Sequence, residues 1–265
     1  MKPLKPSRWL SSDPPVVLLT AHDYFTGWLA DAAGVDVVLV GDSFAPDILG
    51  YRDILQVSLD DMIHHAKAVC HAVRRAPVFV DMPFGSYGVD VSETARNAVR
   101  LVSECGCQGV KMAGGLHIVP HVAAVIAQGI PVMGHIGVTT QAQTLASIDD
   151  VDGVTEEDAK RLLMEAASLE RAGCVSIIAK CIVADVAAEI TKRAAIPIIS
   201  IGSGSNCTGY GAGILYVLGL TEAASRDTMP WFAIRRWDGR EQMEQIVREL
   251  VTDLKASAIP IPSRE

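Results

Sequence analysis

Short apolar runs recur along the chain and alternate with longer segments of helical periodicity. The runs are rich in β-branched residues, are too short for helices and often follow Gly or Pro, which predicts buried β-strands. Because they show no alternation of apolar and polar residues, they are typical of parallel strands covered on both faces. We predict eight strands: Val16–Ala21, Val35–Val40, Pro77–Met82, Gly109–Met112, Pro131–His135, Val175–Lys180, Pro197–Ile201 and Gly213–Leu218.

The segments between the predicted strands carry signals for helix starts and stops. Ser58 and Thr155 each precede an apolar-periodic segment and are followed three residues later by Asp61 and Asp158, the arrangement of a capping box. Another helix is predicted to open at Ser92 and to continue to about residue 105. Glycines that are expected to end helices before the next strand are Gly34, Gly106 and Gly173.

Regular alternation of strands and helices predicts parallel strands joined by right-handed crossovers. About eight such units in 265 residues favour a single-domain α/β fold, the (β/α)₈ TIM barrel, for which ~250 residues is typical. An open doubly wound sheet is the alternative. We expect one domain over residues 1–265, with a short N-terminal segment 1–15, a last helix from about Gly239 to Leu254 and a loose tail 256–265. The polar stretch Thr139–Val154 is expected to be a long loop that could serve as a lid.

Composition narrows the classes of partner. The formal net charge of −8 and the absence of a basic cluster argue against nucleic acid or an anionic membrane as partner. The six cysteines include no CxxC pair and lie largely in apolar stretches, which indicates buried thiols rather than a disulfide framework. The N-terminus lacks the apolar core of a signal peptide, and no apolar run approaches the ~20 residues that span a bilayer. We therefore predict a cytoplasmic protein.

Polar side chains interrupt the apolar pattern at the ends of the predicted strands. Asp42, Asp81, Lys111, His135 and Lys180 all stand at or near a strand's C-terminal end. Each taken alone has an ordinary explanation, such as a helix cap, a solvated lysine or a core histidine. In a barrel, however, all five would converge on the mouth where this fold places its catalytic residues.

The two aspartates favour a metal site. Carboxylates that meet at one mouth repel each other and raise one pKa unless a cation lies between them. Oxygen ligands select a hard ion, and Mg²⁺ or another divalent metal fits best on Asp42 and Asp81. A 2-oxo acid would chelate such an ion through its keto and carboxylate oxygens, and the metal would stabilise an enolate as a Lewis acid.

Five segments of the sequence resemble the ketopantoate hydroxymethyltransferase (3-methyl-2-oxobutanoate hydroxymethyltransferase) family. The similarity runs from about residue 16 to residue 254, and the strings DMPFGSY and PVMGHIG are its most specific parts. The resemblance implies a (β/α)₈ barrel of the phosphoenolpyruvate mutase/isocitrate lyase superfamily. The matching segments are Leu19–Tyr24, Val38–Ser43, Val80–Tyr87, Pro131–Gly137 and Ile199–Gly204.

The resemblance also implies roles for individual residues. Asp42 and Asp81 match the aspartates that hold Mg²⁺ in the family. Ser43, Asp81 and Lys111 match residues that hold the 2-oxo acid, and a histidine matches His135. The family adds a hydroxymethyl group, carried by 5,10-methylenetetrahydrofolate, to the carbon next to the keto group.

The sequence departs from the family pattern at several of these positions. Ala113 replaces a glutamate, and Lys180 replaces the glutamate taken to be the general base; these changes add +1 and +2 to the formal charge, +3 together. His22 replaces a tyrosine, and the segment Gly41–Pro46 differs after its first three residues. An apolar strand and cationic neighbours are expected to lower the pKa of Lys180. We therefore predict Lys180 as the base, with His135 or a metal-bound water as alternatives.

The role of Lys180 nevertheless stays open among four possibilities: a base, a Schiff-base former, an anion binder or a partial substitute for the metal. The leading hypothesis is an enzyme that makes or breaks a carbon–carbon bond of a 2-oxo acid through an enolate, with Lys180, His135 and Lys111 as catalytic residues. One alternative is a superfamily lyase, mutase or hydrolase acting on a phosphonate or dicarboxylate 2-oxo acid, with glycines in 202–213 binding phosphate.

A second alternative is an inactive relative that serves as a partner subunit. We also predict a homo-oligomer, from the resemblance and from the aromatic and basic segment Trp231–Trp237, which is unfavourable as exposed surface. The alternative is that this segment packs on its own barrel.

Overall fold

Eight parallel strands pair in chain order, and the last strand pairs with the first, which closes the sheet into a barrel. The computed structural model describes residues 14–139, 150–221 and 230–256. The closure confirms the (β/α)₈ barrel and excludes the open doubly wound sheet. The strands are β1 Val16–Thr20, β2 Val37–Val40, β3 Val78–Asp81, β4 Gly109–Ala113, β5 Val132–Gly137, β6 Ser176–Lys180, β7 Ile198–Ile201 and β8 Gly209–Ala212.

Helices follow the strands and begin largely where the sequence predicts. Ser58 and Thr155 are N-caps, and each forms a capping box with the Asp three residues later. The helix predicted to open at Ser92 begins one residue earlier and is capped by Asp90. The α-helices are α1 Tyr24–Ala33, α2 Ala45–Leu49, α3 Leu59–Ala72, α4 Val91–Cys105, α5 Val119–Ala127, α6 Glu156–Ala172, α7 Ala184–Arg193, α8 Ile214–Leu218 and α9 Gly239–Lys255.

The predicted eighth strand is wrong. Gly213–Leu218 is not a strand, because Ile214–Leu218 forms the short helix α8. The strand that closes the barrel is β8, whose Gly209 pairs with Val16 of β1. A Cβ atom at Gly209 would lie 2.5 Å from the carbonyl oxygen of Val16, so glycine is required for this close approach. A strand built on such glycines carries little apolar signal, and the apolar run that follows it misled the prediction.

The barrel interior holds apolar side chains towards its N-terminal end and polar ones at its C-terminal mouth. Alternate residues of each strand face inward, so residues two apart along a strand form successive layers. The apolar layers close the N-terminal part of the barrel and leave the polar layer as the floor of an opening at the other end. Their buried residues are Val16, Leu18, Val37, Leu39, Phe79, Met133, Ile178 and Ile199.

Some predicted features lie partly outside the described residues. Of the predicted loop Thr139–Val154, residues 140–149 lie outside them, and Asp152 forms a parallel bridge with Ile182 after β6. Most of the N-terminal segment and nearly all of the predicted tail are also outside. The six cysteines are free thiols. In the ranges that the structure describes, no helix combines the length and apolarity needed to cross a membrane.

Candidate active site

The polar residues predicted from the strand ends come together at the C-terminal mouth of the barrel. Asp81 and Lys180 are the last residues of β3 and β6, and Asp42 opens a 3₁₀ turn shortly after β2. Lys111 in β4 pairs in register with Asp81, and His135 in β5 follows two residues after the register partner of Lys111. The side chains that lie in β3 to β6 share the inward phase of their strands and face one another across the opening, whereas Asp42 reaches Asp81 from the turn after β2.

Asp81 and Lys111 form a buried ion pair. The Nζ of Lys111 lies 2.8 Å from Oδ2 of Asp81, and both side chains are less than a tenth exposed. The backbone N–H of Asp42 donates to the same oxygen at 3.2 Å. Oδ2 of Asp81 therefore accepts two hydrogen bonds. Removing either partner of such a buried ion pair is costly, because the other charge would stay buried without a partner.

One carboxylate oxygen of each aspartate has no such partner. Oδ1 of Asp42 and Oδ1 of Asp81 are buried and accept no hydrogen bond from the described residues. Burial, together with the neighbouring Asp81 carboxylate, raises the pKa of Asp42 to about 7, against the opposing effect of Lys111. Two buried acceptor oxygens that lack donors form a place where a cation would be stabilised.

Lys180 is the unpaired cation of the mouth. Its side chain is buried, its Nζ lies 5.4 Å from the centre of the Phe232 ring, and it makes no ion pair with the described carboxylates. Burial lowers its pKa to about 8, and Lys111 contributes in the same direction against the opposing effects of Cys181, Asp42 and Asp81. The amine of Lys180 therefore loses its proton at a lower pH than an ordinary lysine does.

His135 is held neutral beside the two lysines. Both ring nitrogens are buried and have no hydrogen-bond partner among the described residues. Burial lowers the pKa of His135 well below its usual range, and Lys111 and Lys180 lower it further. A neutral imidazole with both nitrogens free offers one donor and one acceptor to whatever occupies the opening.

These groups open into a cavity of about 100 Å³ with a polar floor and apolar walls. Ser43, Asp81, Lys111, His135 and Lys180 all line it. Of the predicted residues, Asp42 does not line the cavity and lies behind it, with its backbone N–H bonded to Asp81; Ala113 does not line it either. The apolar walls come from Leu39, Ile178, Ile201, Pro230, Phe232 and Ile234.

Part of the segment Trp231–Trp237 covers the cavity. Phe232 and Ile234 line it, as the alternative of a segment packed on its own barrel predicts, while the oligomer surface stays a prediction. Trp231 and Trp237 remain 51% and 39% exposed, so only part of the segment turns inward. The apolar–basic composition of this segment was the available signal, but composition does not say which side chains turn inward.

A smaller recess adjoins the cavity on the side of β1 and β2. His22 lines it together with Thr20, Ser43 and Tyr216. The Nε2 of His22 lies 3.4 Å from Asp23, and burial lowers the pKa of His22. His22 therefore belongs to the edge of the site rather than to its floor.

The residues at the mouth fit a hard divalent ion such as Mg²⁺. The two unpartnered Oδ1 atoms of Asp42 and Asp81 are the oxygen ligands that such an ion prefers. In the described ranges no group of three or more His, Cys, Asp and Glu side chains could hold a metal. A site with two carboxylates matches Mg²⁺, which keeps several waters and takes further oxygens from a substrate.

The barrel is similar to several solved structures. One is phosphoenolpyruvate phosphomutase from Streptomyces platensis, with a TM-score of 0.63 and 13% identity over 95% of this chain and 86% of the other. Another is phosphonopyruvate hydrolase in complex with oxalate and Mg²⁺, with a TM-score of 0.59 and 14% identity over 96% and 89%. At these identities the likeness establishes the fold.

The sequence comparisons show the family as well as the fold. The 3-methyl-2-oxobutanoate hydroxymethyltransferase of Acetivibrio thermocellus is 40% identical over 245 residues, which cover 92% of this chain and 85% of the relative. The enzyme of the same name from Ignicoccus hospitalis is 40% identical over 245 residues, covering 92% and 91%. The family model for ketopantoate hydroxymethyltransferase matches residues 7–262. With the barrel, the polar mouth and these similarities in agreement, the chain belongs to the ketopantoate hydroxymethyltransferase family of enzymes.

Proposed function

We propose that this protein catalyses an aldol-type reaction at the carbon next to the keto group of a small 2-oxo acid. The observation that carries the proposal is the meeting of unpaired Lys180, neutral His135 and the Lys111–Asp81 pair in one small, apolar-walled cavity. The closest chemical analogy is the hydroxymethyl transfer to 3-methyl-2-oxobutanoate after which the relatives are named. The altered residues Lys180 and Ala113 point to an altered substrate within this class.

The acid would be held at the polar floor. Lys111 supplies a fixed positive charge for the carboxylate of the substrate, and its pairing with Asp81 keeps that charge in place. Ser43 adds a hydroxyl at the exposed edge of the cavity. The apolar walls would take the alkyl part of the acid and exclude water from the reacting carbon.

Asp42 and Asp81 would hold a divalent metal through the oxygens that otherwise have no partner. When bound, such an ion supplies the positive charge that stabilises an enolate. The two aspartates would place this charge near the keto group of the substrate. Lys111 neutralises one of the two carboxylates and so reduces the excess negative charge of the site.

Lys180 would remove the proton. A base must be neutral to accept a proton, and burial has already lowered the pKa of Lys180 to about 8. Phe232 covers the amine and limits the water that would hold it in its charged form. His135, neutral and free at both nitrogens, would donate a hydrogen bond to the developing oxyanion.

Proton removal can be measured without knowing the one-carbon donor. With 3-methyl-2-oxobutanoate and related 2-oxo acids in D₂O with Mg²⁺, the protein should exchange the proton next to the keto group for deuterium, followed by NMR. Adding 5,10-methylenetetrahydrofolate should give a hydroxymethyl product if the donor is the one that the resemblance implies, and formaldehyde alone serves as the comparison. Absence of both exchange and product across a panel of 2-oxo acids would contradict the proposal and favour an inactive relative.

A second candidate function is cleavage or rearrangement of a 2-oxo acid that carries a phosphonate or a second carboxylate. It is favoured by the two lysines that line the cavity, since Lys180 has no carboxylate partner among the described residues. Turnover of oxaloacetate or phosphonopyruvate, without proton exchange on monocarboxylic 2-oxo acids, would support this function instead.

A further inference from the structure

The chain makes a strained turn directly after Lys180. Cys181 has a φ of 50° and is the only residue other than glycine with a positive φ in the part of the chain that the structure describes. A side chain with a β-carbon is disfavoured in this left-handed region, and such a conformation persists only where surrounding contacts impose it. The contacts that impose it also set the direction in which Lys180 leaves the strand.

One hydroxyl group bridges the two sides of this turn. The Oγ of Ser203 donates to the carbonyl oxygen of Ala179 at 2.9 Å and accepts the backbone N–H of Ile182 at 2.9 Å. Lys180 and Cys181 are the two residues between these peptide groups. Ser203 is 1% exposed, so solvent does not replace either bond. Its position in the loop after β7 is fixed in turn by Ser200, whose Oγ accepts the backbone N–H of Ser203 at 3.0 Å.

The remaining contacts at the turn come from the main chain. The N–H of Cys181 donates to the carbonyl oxygen of Ile201, and its carbonyl oxygen accepts the N–H of Asp152, both at 2.8 Å. These bonds persist whatever the side chains are. Ser203 is thus the side chain whose removal would release the turn selectively.

The same loop supports the far end of the lysine. Gly202 has a φ of 70°, and a Cβ atom there would lie 2.6 Å from the Cβ of Phe232. The Phe232 ring in turn covers the Nζ of Lys180 at 5.4 Å. The loop at 202–204 therefore supports Lys180 in two ways. Ser203 bonds to the backbone on either side of Lys180 and Cys181, and Gly202 lies against Phe232, whose ring covers the amine.

We propose that Ser203 is the positioning residue for Lys180: its buried hydroxyl holds the left-handed turn at Cys181 and so directs the Lys180 amine into the cavity. The inference rests on the proposed function for its catalytic consequence, but the positioning itself does not depend on which acid is the substrate. The ionisable groups that influence the amine are Cys181, Lys111, Asp42 and Asp81, and His135 responds to it.

The variant Ser203→Ala tests the proposal. A small misplacement of a catalytic group lowers rate more than binding, so kcat for the aldol reaction or for proton exchange should fall about 10- to 100-fold with little change in KM. Ser203→Thr, which keeps the hydroxyl, should restore most of the rate. The matched control is Ser176→Ala at the start of β6, the strand that ends at Lys180. The buried Oγ of Ser176 has no hydrogen-bond partner among the described residues and does not line the cavity, so this variant should leave kcat unchanged.

A measurement without substrate separates this inference from the proposed function. The rate of acetylation of Lys180 by acetic anhydride, followed by peptide mass spectrometry across pH, reports when the amine becomes neutral. Its midpoint should lie near 8 in the original protein and should rise in Ser203→Ala, because a released lysine is better hydrated. If Ser203→Ala does not fold, Ser203→Cys, similar in size with weaker hydrogen bonding, should shift the midpoint in the same direction.

The outcomes are distinct. A folded Ser203→Ala protein with unchanged acetylation of Lys180 overturns the positioning role, whatever its activity. A shifted midpoint in a protein that acts on no 2-oxo acid supports the positioning role and contradicts the proposed function. A loss of kcat that Ser176→Ala reproduces would show a general effect of losing a buried hydroxyl, and would overturn the specific role.

Discussion

At the residue scale, the proposed chemistry depends on one amine that has no carboxylate partner among the described residues. Lys111 and Lys180 line the same cavity, yet Lys111 is bound to Asp81 whereas Lys180 faces an aromatic ring. The two lysines therefore suit different tasks. A paired lysine keeps its charge and binds an anion, while a desolvated lysine loses its proton more easily and can act as a base.

We expect Lys180→Ala to lower kcat by ~10²-fold or more with little change in KM, because it removes a base and not a binding group. The rate in the original protein should rise with pH through about 8, since only the neutral amine accepts a proton, and this limb should vanish in the variant. Steady-state kinetics from pH 6 to 9.5 provide the measurement. A raised KM with an intact kcat would instead make Lys180 an anion-binding residue.

The proposed departures from the family pattern at Lys180 and Ala113 can be tested by reversing them. Lys180→Glu should move the protein towards ordinary ketopantoate synthesis, and adding Ala113→Glu should move it further, because together they remove the +3 charge difference. The product formed from 3-methyl-2-oxobutanoate, compared between the single and double variants, measures the change. Equal or lower activity in both variants would show that other residues determine the substrate.

Asp42 should make the stability of the metal-free protein depend on pH. Its pKa is about 7 when folded, against about 3.8 in an unfolded chain, so the folded state binds the proton more strongly. The contribution of Asp42 to stability is therefore complete below pH 4 and is lost as the pH rises towards 7. In EDTA, the melting temperature should fall less over this interval in Asp42→Asn than in the original protein. Mn²⁺ should recover the loss at pH 7.5 only when Asp42 is present.

At the scale of single elements, β8 shows how closure depends on glycine. Gly209→Ala would place a Cβ 2.5 Å from the carbonyl oxygen of Val16 and should destabilise the protein by about 1–3 kcal/mol, the usual range for overpacking. Gly41→Ala provides the control for stability, because its nearest neighbour would lie at 3.5 Å, an ordinary contact. Urea unfolding followed by circular dichroism compares the two. Equal midpoints would mean that β8 adjusts without cost.

At the scale of the whole molecule, most of α9 is exposed in the described part of the chain, and its first turn is bonded to the segment after α8, where the N–H of Arg240 donates to the carbonyl oxygen of Gly219 at 3.1 Å. Its apolar side chains are exposed, although an apolar helical face normally packs against another surface. We propose that the protein is a homo-oligomer in which α9 is covered by another copy. The exposed residues are Met243, Ile246, Val247, Leu250, Val251 and Leu254.

Sedimentation at micromolar concentration should therefore give a mass above the 28.2 kDa of one chain. The double variant Ile246→Glu with Leu250→Glu should reduce the mass to one chain, because buried unpaired charges oppose association. Replacing the exposed Glu249 of the same helix by Gln is the matched control and should leave the mass unchanged. A single-chain mass for the original protein would contradict the proposal.

The sequence by itself determined the barrel and predicted which polar residues would meet at its mouth. Apolar runs alternating with capped helices are local patterns, and eight of them in one chain leave few ways to cover every strand. The polar residues that end the strands, such as Asp81 and Lys180, follow from the same pattern, because parallel strands bring their carboxyl ends to one face. The β8 strand escaped detection because its glycines pack through the main chain and carry no apolar pattern.

Only the tertiary structure decided how these residues are paired and covered. The bond between Lys111 and Asp81 depends on the register of β3 against β4, to which a sequence pattern is insensitive. Phe232 and Ser203 reach Lys180 from distant segments, and neither stands out locally. Pairing, burial and the resulting pKa values depend on contacts between residues far apart in the chain, and these contacts form only when the barrel closes.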